Sequence, residues 1–176
     1  TIADEAFMNC TALQSVSLTA PLTSFGGSVF SGCTALKTVD FAPSVANLDV
    51  GSKTFENCSA LTSATFNGNV AKVGSNLFLN CSSLTSFTIP ANMVLYMTLS
   101  SYSSYAYYAF IGCTSLTEIN VEEGSTEYAS EDGILYSADK TAILYVPANK
   151  SFATVGGLST FTIPDSVQRL ASGAFY

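Results

Sequence analysis

Phe55-Glu56-Asn57-Cys58-Ser59-Ala60-Leu61-Thr62-Ser63-Ala64-Thr65-Phe66 decides the fold, because the same pattern returns along the whole chain. Reduced to its fixed positions it reads F-x-x-C-x-x-L-x-x-φ-x-φ, with φ apolar. Four further copies keep every fixed position: Phe7/Cys10/Leu13/Val16/Leu18, Phe30/Cys33/Leu36/Val39/Phe41, Phe78/Cys81/Leu84/Phe87/Ile89 and Phe110/Cys113/Leu116/Ile119/Val121. A sixth, Phe152/Val155/Leu158/Phe161/Ile163, puts Val where the others carry Cys. The anchor Phe residues stand at 7, 30, 55, 78, 110 and 152, with a seventh at 175, so the base period is 23. Longer gaps mark inserted segments.

Within each unit, L-x-x-φ-x-φ reads as a short strand. In Leu84-Thr85-Ser86-Phe87-Thr88-Ile89-Pro90, apolar Phe87 and Ile89 alternate with Ser86 and Thr88, the period of a half-buried strand. Pro90 and Pro164 close their strands. The residues before each Cys, such as Ala6-Phe7-Met8-Asn9, predict one short helical turn, and the Gly or Asn just before Cys (Asn9, Gly32, Asn57, Asn80, Gly112) suits a reversal into the strand. One such coil cannot bury its apolar side alone. Stacked coils bury it against each other, so the pattern predicts a solenoid.

Composition narrows the function. Of 176 residues, 48% are hydrophobic and 11% charged, enough for one domain with a large core. The net charge of −7 and only six scattered Lys and Arg argue against a nucleic-acid partner. No apolar run reaches the roughly 18 residues of a membrane span, so membrane attachment would come only through parts of a parent protein not present here. There is no His, which removes Ser-His and Cys-His nucleophile pairs and His-bearing metal sites. No catalytic, cofactor or metal residue is assigned. The chain opens and closes inside its repeat without a polar cap, so residues 1–176 are expected to be a single domain cut from a longer protein.

F-x-x-C-x-x-L-x-x-φ-x-φ-P followed by Val167-Gln168-Arg169-Leu170-Ala171-Ser172-Gly173-Ala174-Phe175 resembles the BspA-type leucine-rich repeat. Glu131-Asp132-Gly133-Ile134-Leu135-Tyr136 and Asp139-Lys140-Thr141-Ala142-Ile143-Leu144-Tyr145-Val146-Pro147 are similar to an insert common in that family. On its own chemistry this insert is a β-hairpin, two apolar runs around a polar turn. The resemblance implies a leucine-rich-repeat right-handed superhelix with one parallel β-sheet, short helical turns and an inserted hairpin. It also implies a non-catalytic adhesion or protein-binding module of a cell-surface or secreted protein, with a host cell-surface or extracellular-matrix protein as the expected partner. A structural spacer that displays another domain, or a carbohydrate-binding surface, are the alternatives.

Two inserts, near residues 93–108 and 124–147, interrupt the period. The first is rich in Tyr and Ser. Tyr96, Met97, Tyr102, Tyr107 and Tyr108 are candidate partner contacts, because Tyr offers large amphipathic contact area at small entropic cost. The competing reading folds these rings back over the coils. Tyr105, five before Phe110, matches Ile2, Phe25, Val50 and Val73 of other coils and is expected in the core. The outward strand positions form two polar rows: Ser15, Thr38, Ser63, Ser86, Glu118, Thr160, and Ser17, Asp40, Thr65, Thr88, Asn120, Thr162. Thr65, Thr88 and Asn120 are the candidate contacts on this face, although solubility alone also calls for polar residues there.

The five Cys residues share one template position and are expected as a buried row of free thiols, although coils about 4.8 Å apart do not exclude disulfides on distance alone. Four sequons, at Asn9, Asn57, Asn80 and Asn149, come mostly from turn chemistry. The acidic run from Glu118 to Asp139 lacks the spacing of a calcium loop and reads as a solvated face.

Overall fold

The end of each template becomes a strand: β1 (Ser15–Leu18), β2 (Thr38–Phe41), β4 (Ser63–Phe66), β6 (Ser86–Ile89) and β8 (Glu118–Val121). This architecture is a computed structural model, in which residues 1–20, 22–41, 48–67, 70–95 and 109–175 are described. They wind into a β-solenoid of about five turns with almost no helix. Burial strictly alternates in β2, β4 and β6, as the sequence period requires. Parallel pairing sets Val16, Val39 and Ala64 in one row and Leu18, Phe41 and Phe66 in the next. Phe87 pairs with Ile119 and Ile89 with Val121.

A second parallel ladder runs through β3 (Leu48–Val50), β5 (Val70–Val73) and β7 (Val94–Leu95), continued by bridges from Val50 to Phe25 and from Phe25 to Ile2. The single sheet expected from the sequence is therefore two ladders, and side chains of both enter one core. The slot after Val73 is filled by Leu95, where counting back from Phe110 places Tyr105. Tyr105 itself lies outside the described residues.

The expected helical turn is instead a run of tight turns broken by left-handed residues. Two such residues flank the anchor Phe in the first coil, Glu5 and Asn9 (φ 59° at both), and again in the third, Lys53 and Asn57 (φ 60° at both). Where Gly32 and Gly112 replace Asn, φ is 75°. A Cβ on either would meet the Asn9 or Asn80 amide oxygen of the coil before, so glycine there spares that side chain a shift and suits the left-handed backbone. Phe7, Phe30, Phe55 and Phe78 each donate a backbone N–H to the next coil, to Val29 (2.9 Å), Thr54 (2.9 Å), Leu77 (3.0 Å) and Ala109 (2.9 Å).

The cysteines add a parallel row. Cys33, Cys58, Cys81 and Cys113 are buried free thiols that donate to the carbonyls of Phe7 (3.0 Å), Phe30 (3.1 Å), Phe55 (3.0 Å) and Phe78 (3.2 Å). The fifth departs from expectation: Cys10 is exposed, since no coil of this chain stacks over it. At the other end the next position in the row belongs to a residue from outside the period. The hydroxyl of Tyr145 donates to the Phe110 carbonyl at 3.3 Å, and its ring packs on Phe110.

Tyr145 lies on the inserted hairpin. β9 (Tyr128–Glu131), β10 (Ile134–Ser137) and β11 (Ala142–Tyr145) form an antiparallel sheet that β14 (Arg169–Leu170) joins in parallel to β11. β10 and β11 are buried along their whole length. Leu135, Leu144 and Tyr145 enter the solenoid core, while Ile134, Tyr136, Ile143 and Val146 form a second core with Ala174. The hairpin is thus a partition between two cores. It also covers the edge of β8, where Ile119 N–H donates to Gly133 at 2.8 Å and Val121 N–H to Ser130 Oγ at 2.9 Å.

The sixth copy does not make a coil. Its residues form β12 (Ala153–Val155) and β13 (Leu158–Thr160), an antiparallel pair with Gly156 and Gly157 in the turn. Both glycines are left-handed (φ 59° and 82°), the geometry a two-residue hairpin turn demands. Val155 and Leu158, which the template assigns to the core, are 65% and 72% exposed. Thr160 and Thr162 accordingly do not extend the outward rows.

Candidate functional site

The outward face of the template strands carries short polar side chains because every inward position is taken by the core. Thr65 pairs in register with Asp40 on β2, and Thr88 with Asn120 on β8, so three of the expected contact residues stand in the rows the sequence gives them. Thr65 and Thr88 are exposed and Asn120 half-buried. Tyr96, Met97, Tyr102, Tyr107 and Tyr108 lie outside the described residues.

Strand pairing is absent between β4 and β6. The aromatic order of the rows changes at the same layer. Phe41 and Phe66 occupy the second inward position and stack at 4.6 Å with ring planes 17° apart. In β6 the aromatic moves to the first inward position, facing Ala64, with Ile89 in the second. Phe87 therefore meets Phe66 edge to face, at 5.8 Å and 88°. The change of ring geometry coincides with the layer at which the two strands part. On the turn side the same coils stay joined through Phe55 N–H to Leu77 (3.0 Å) and Asn57 N–H to Leu79 (2.7 Å).

The parting leaves a crevice of about 170 Å³ on the outward face. Thr65 and Thr88 line it above the buried Phe66 and Phe87, and Asn67 and Glu122 stand at the end where the strands finish. Asn67 is fixed by two bonds from its Nδ2, to Asp40 Oδ1 at 3.0 Å and to the Phe41 carbonyl at 2.7 Å. Glu122 is fixed by the Ala91 N–H, which donates to its carboxylate at 3.2 Å, and by its own N–H on the Ile89 carbonyl at 3.0 Å. Asn67 and Glu122 escape a reading of the rows because each lies just beyond its strand. Only the exchange of aromatic positions between Phe66 and Phe87 signals the break.

The thiols offer no nucleophile inside the stack. Burial pushes the pKa of Cys58 and Cys113 up to about 12, and burial also raises Cys33. Glu131 and Asp132 are tied to Lys140 (2.7 Å) and Lys150 (3.0 Å). No group of three or more acidic, Cys or His side chains able to hold a metal occurs among the described residues.

The sequence profile of the BspA type leucine-rich repeat region matches residues 1–124 and 95–137, in six copies. The chain belongs to this family. Solved structures agree with its solenoid. The BspA-type chain is similar to the pneumococcal vaccine antigen PcpA, at 27% identity over 98% of its own length and 33% of that protein's, with a TM-score of 0.56. A leucine-rich cell surface protein of Faecalibacterium prausnitzii is 23% identical over 99% of this chain and 55% of that one, TM-score 0.62. A leucine-rich repeat protein of T. pallidum is 24% identical over 68% and 50%, TM-score 0.58, and these last two likenesses show the fold. The chain thus spans between 33% and 55% of the length of these relatives. No curated protein matches it.

Proposed function

We propose that this BspA-type chain is a non-catalytic protein-binding module of a cell-surface or secreted protein. The observation that carries the reading is the outward face. It is a row of short, weakly charged side chains able to exchange bonds to water for bonds to a partner, interrupted between β4 and β6 by a crevice whose polar end is held in place. The relatives support a surface location by their descriptions, one a cell surface protein and one a vaccine antigen. A sugar platform finds less support, since no aromatic ring stands on the outward rows and Phe66 and Phe87 are buried. On sequence grounds the insert with Tyr102, Tyr107 and Tyr108 is a second proposed contact.

The test is solid-phase binding to a panel of human matrix and cell-surface proteins. Three forms are compared: the native chain, Thr65→Lys/Thr88→Lys, and Tyr102/Tyr107/Tyr108→Ser. Saturable binding that the Thr pair abolishes assigns the outward face, and binding that the Tyr set abolishes assigns the insert. Absence of binding by the native chain across the panel favours the spacer reading instead.

A further inference from the structure

The crevice has a chemistry of its own. Among the described residues the ion pairs are Lys53–Glu56, Lys140–Glu131 and Lys150–Asp132. Glu122 takes part in none of them, and neither does Asp40, the acid that holds Asn67 at the same end. No basic residue lines the crevice, and the chain as a whole carries a net charge of −7. Glu122 therefore presents an oriented carboxylate, paired with no cation among the described residues, beside the hydroxyls of Thr65 and Thr88.

Resting on the protein-binding reading above, we infer that this crevice receives a single lysine or arginine side chain of the partner protein. The methylene stem lies between Thr65 and Thr88, and the cationic end meets Glu122, with the two threonine hydroxyls accepting its remaining N–H groups. Long basic side chains lay their stems along whatever carbon surface a crevice offers while keeping the charge at a polar rim. Size agrees: 170 Å³ is room for about five or six waters at about 30 Å³ each, which suits one side chain and excludes a whole strand. An acidic side chain would meet the Glu122 charge. An apolar one would strip water from Glu122 and two hydroxyls without replacing their hydrogen bonds. A divalent cation needs six or more oxygen ligands, and one carboxylate does not assemble them.

The experiment is a ¹H–¹⁵N NMR titration of the native chain with the capped tripeptides Gly-Lys-Gly, Gly-Arg-Gly, Gly-norleucine-Gly and Gly-Glu-Gly. The Lys and Arg peptides are expected to shift the amides of Thr65, Thr88, Ala91 and Glu122 together and saturably, and the other two to leave them unmoved. Glu122→Gln should weaken the Lys peptide by about two- to fivefold, the weight of a partly exposed ion pair. Glu123→Gln removes the same charge one residue away and should have no effect. Both spectra report whether the fold is kept. Equal weakening by the two variants, shifts dispersed over the acidic stretch 118–139, or an equal response to norleucine would overturn the inference. So would the absence of any localised shift. The parent reading is judged separately: if the native chain binds a panel protein and Glu122→Gln binds it equally well, the module stands and the crevice has no part in it.

Discussion

Phe55→Leu is the substitution that most directly probes how the coils hold together. Phe55 is fully buried and touches four rings. It stacks on Phe30 at 5.7 Å and Phe78 at 5.6 Å, and meets Phe41 at 6.5 Å and Phe66 at 6.4 Å edge on. Leucine nearly conserves the volume, and such swaps alone cost less than about 1.5 kcal/mol. Each aromatic pair contributes about 0.5–1.5 kcal/mol beyond its buried area. Four pairs would give about 2–6 kcal/mol if they added, and repacking of the neighbours recovers a part. The expected loss is about 2–4 kcal/mol. Phe7→Leu is the control, because Phe7 is 41% exposed and stacks on Phe30 alone, at 5.3 Å. Its cost should be about 1 kcal/mol or less. Urea unfolding followed by circular dichroism measures both, the shift in midpoint at unchanged slope giving the difference. Equal midpoints for the two variants would refute the argument that stacked rings carry the coil-to-coil cohesion.

Leu61→Ala and Leu84→Ala remove fully buried side chains inside the stack and should each cost about 2–5 kcal/mol, while outward Thr65→Ala should stay within about 0.5 kcal/mol; equal urea midpoints would mean that the strand register is wrong. Alkylation of the unfolded, unreduced chain should add five groups by intact mass, and in the native state only exposed Cys10 should react quickly. The buried thiols also set a pH dependence. Cys58 and Cys113 hold their protons up to about 12 when folded, whereas an unfolded thiol ionises near its ordinary value of about 9. The unfolded state therefore gives up protons first, and the thiols' contribution, fully present below about pH 9, should be lost as pH rises from there towards 12. Unfolding midpoints that do not change over that range would contradict the buried thiol row.

The solenoid and its register were legible because each repeat restates the same constraint. Val39, Ala64 and Phe87 can only face inward if Thr38, Ser63 and Ser86 face out, and these three copies agree. The second ladder was harder to see, since in the first two coils it is made of the single residues Ile2 and Phe25. The sixth copy misled because a template of five apolar positions says nothing of what lies between them. Gly156-Gly157 turns the chain back on itself before Leu158 can reach the core. Tyr145 was invisible as the successor of the cysteines, because it reaches the Phe110 carbonyl from a segment outside the period. Thr65 and Thr88 were found as outward residues, but the crevice between them depends on how Phe66 and Phe87 meet, which only packing decides.

The row of bonds from one coil to the next has a mechanical meaning. The anchor N–H groups and the thiols all link neighbouring coils, so a force pulling the ends of the solenoid apart loads them one layer at a time, as a zip is opened. The layer between β4 and β6 lacks pairing of those two strands, and there the load falls on the β3–β5 ladder and the bonds of the turn side. The hairpin responds differently. β10 and β11 are packed into both cores at once, and separating the cores would require withdrawing a whole sheet from one of them. In a chain anchored at one end and tugged at the other, the partition would keep the last coil and the second core together.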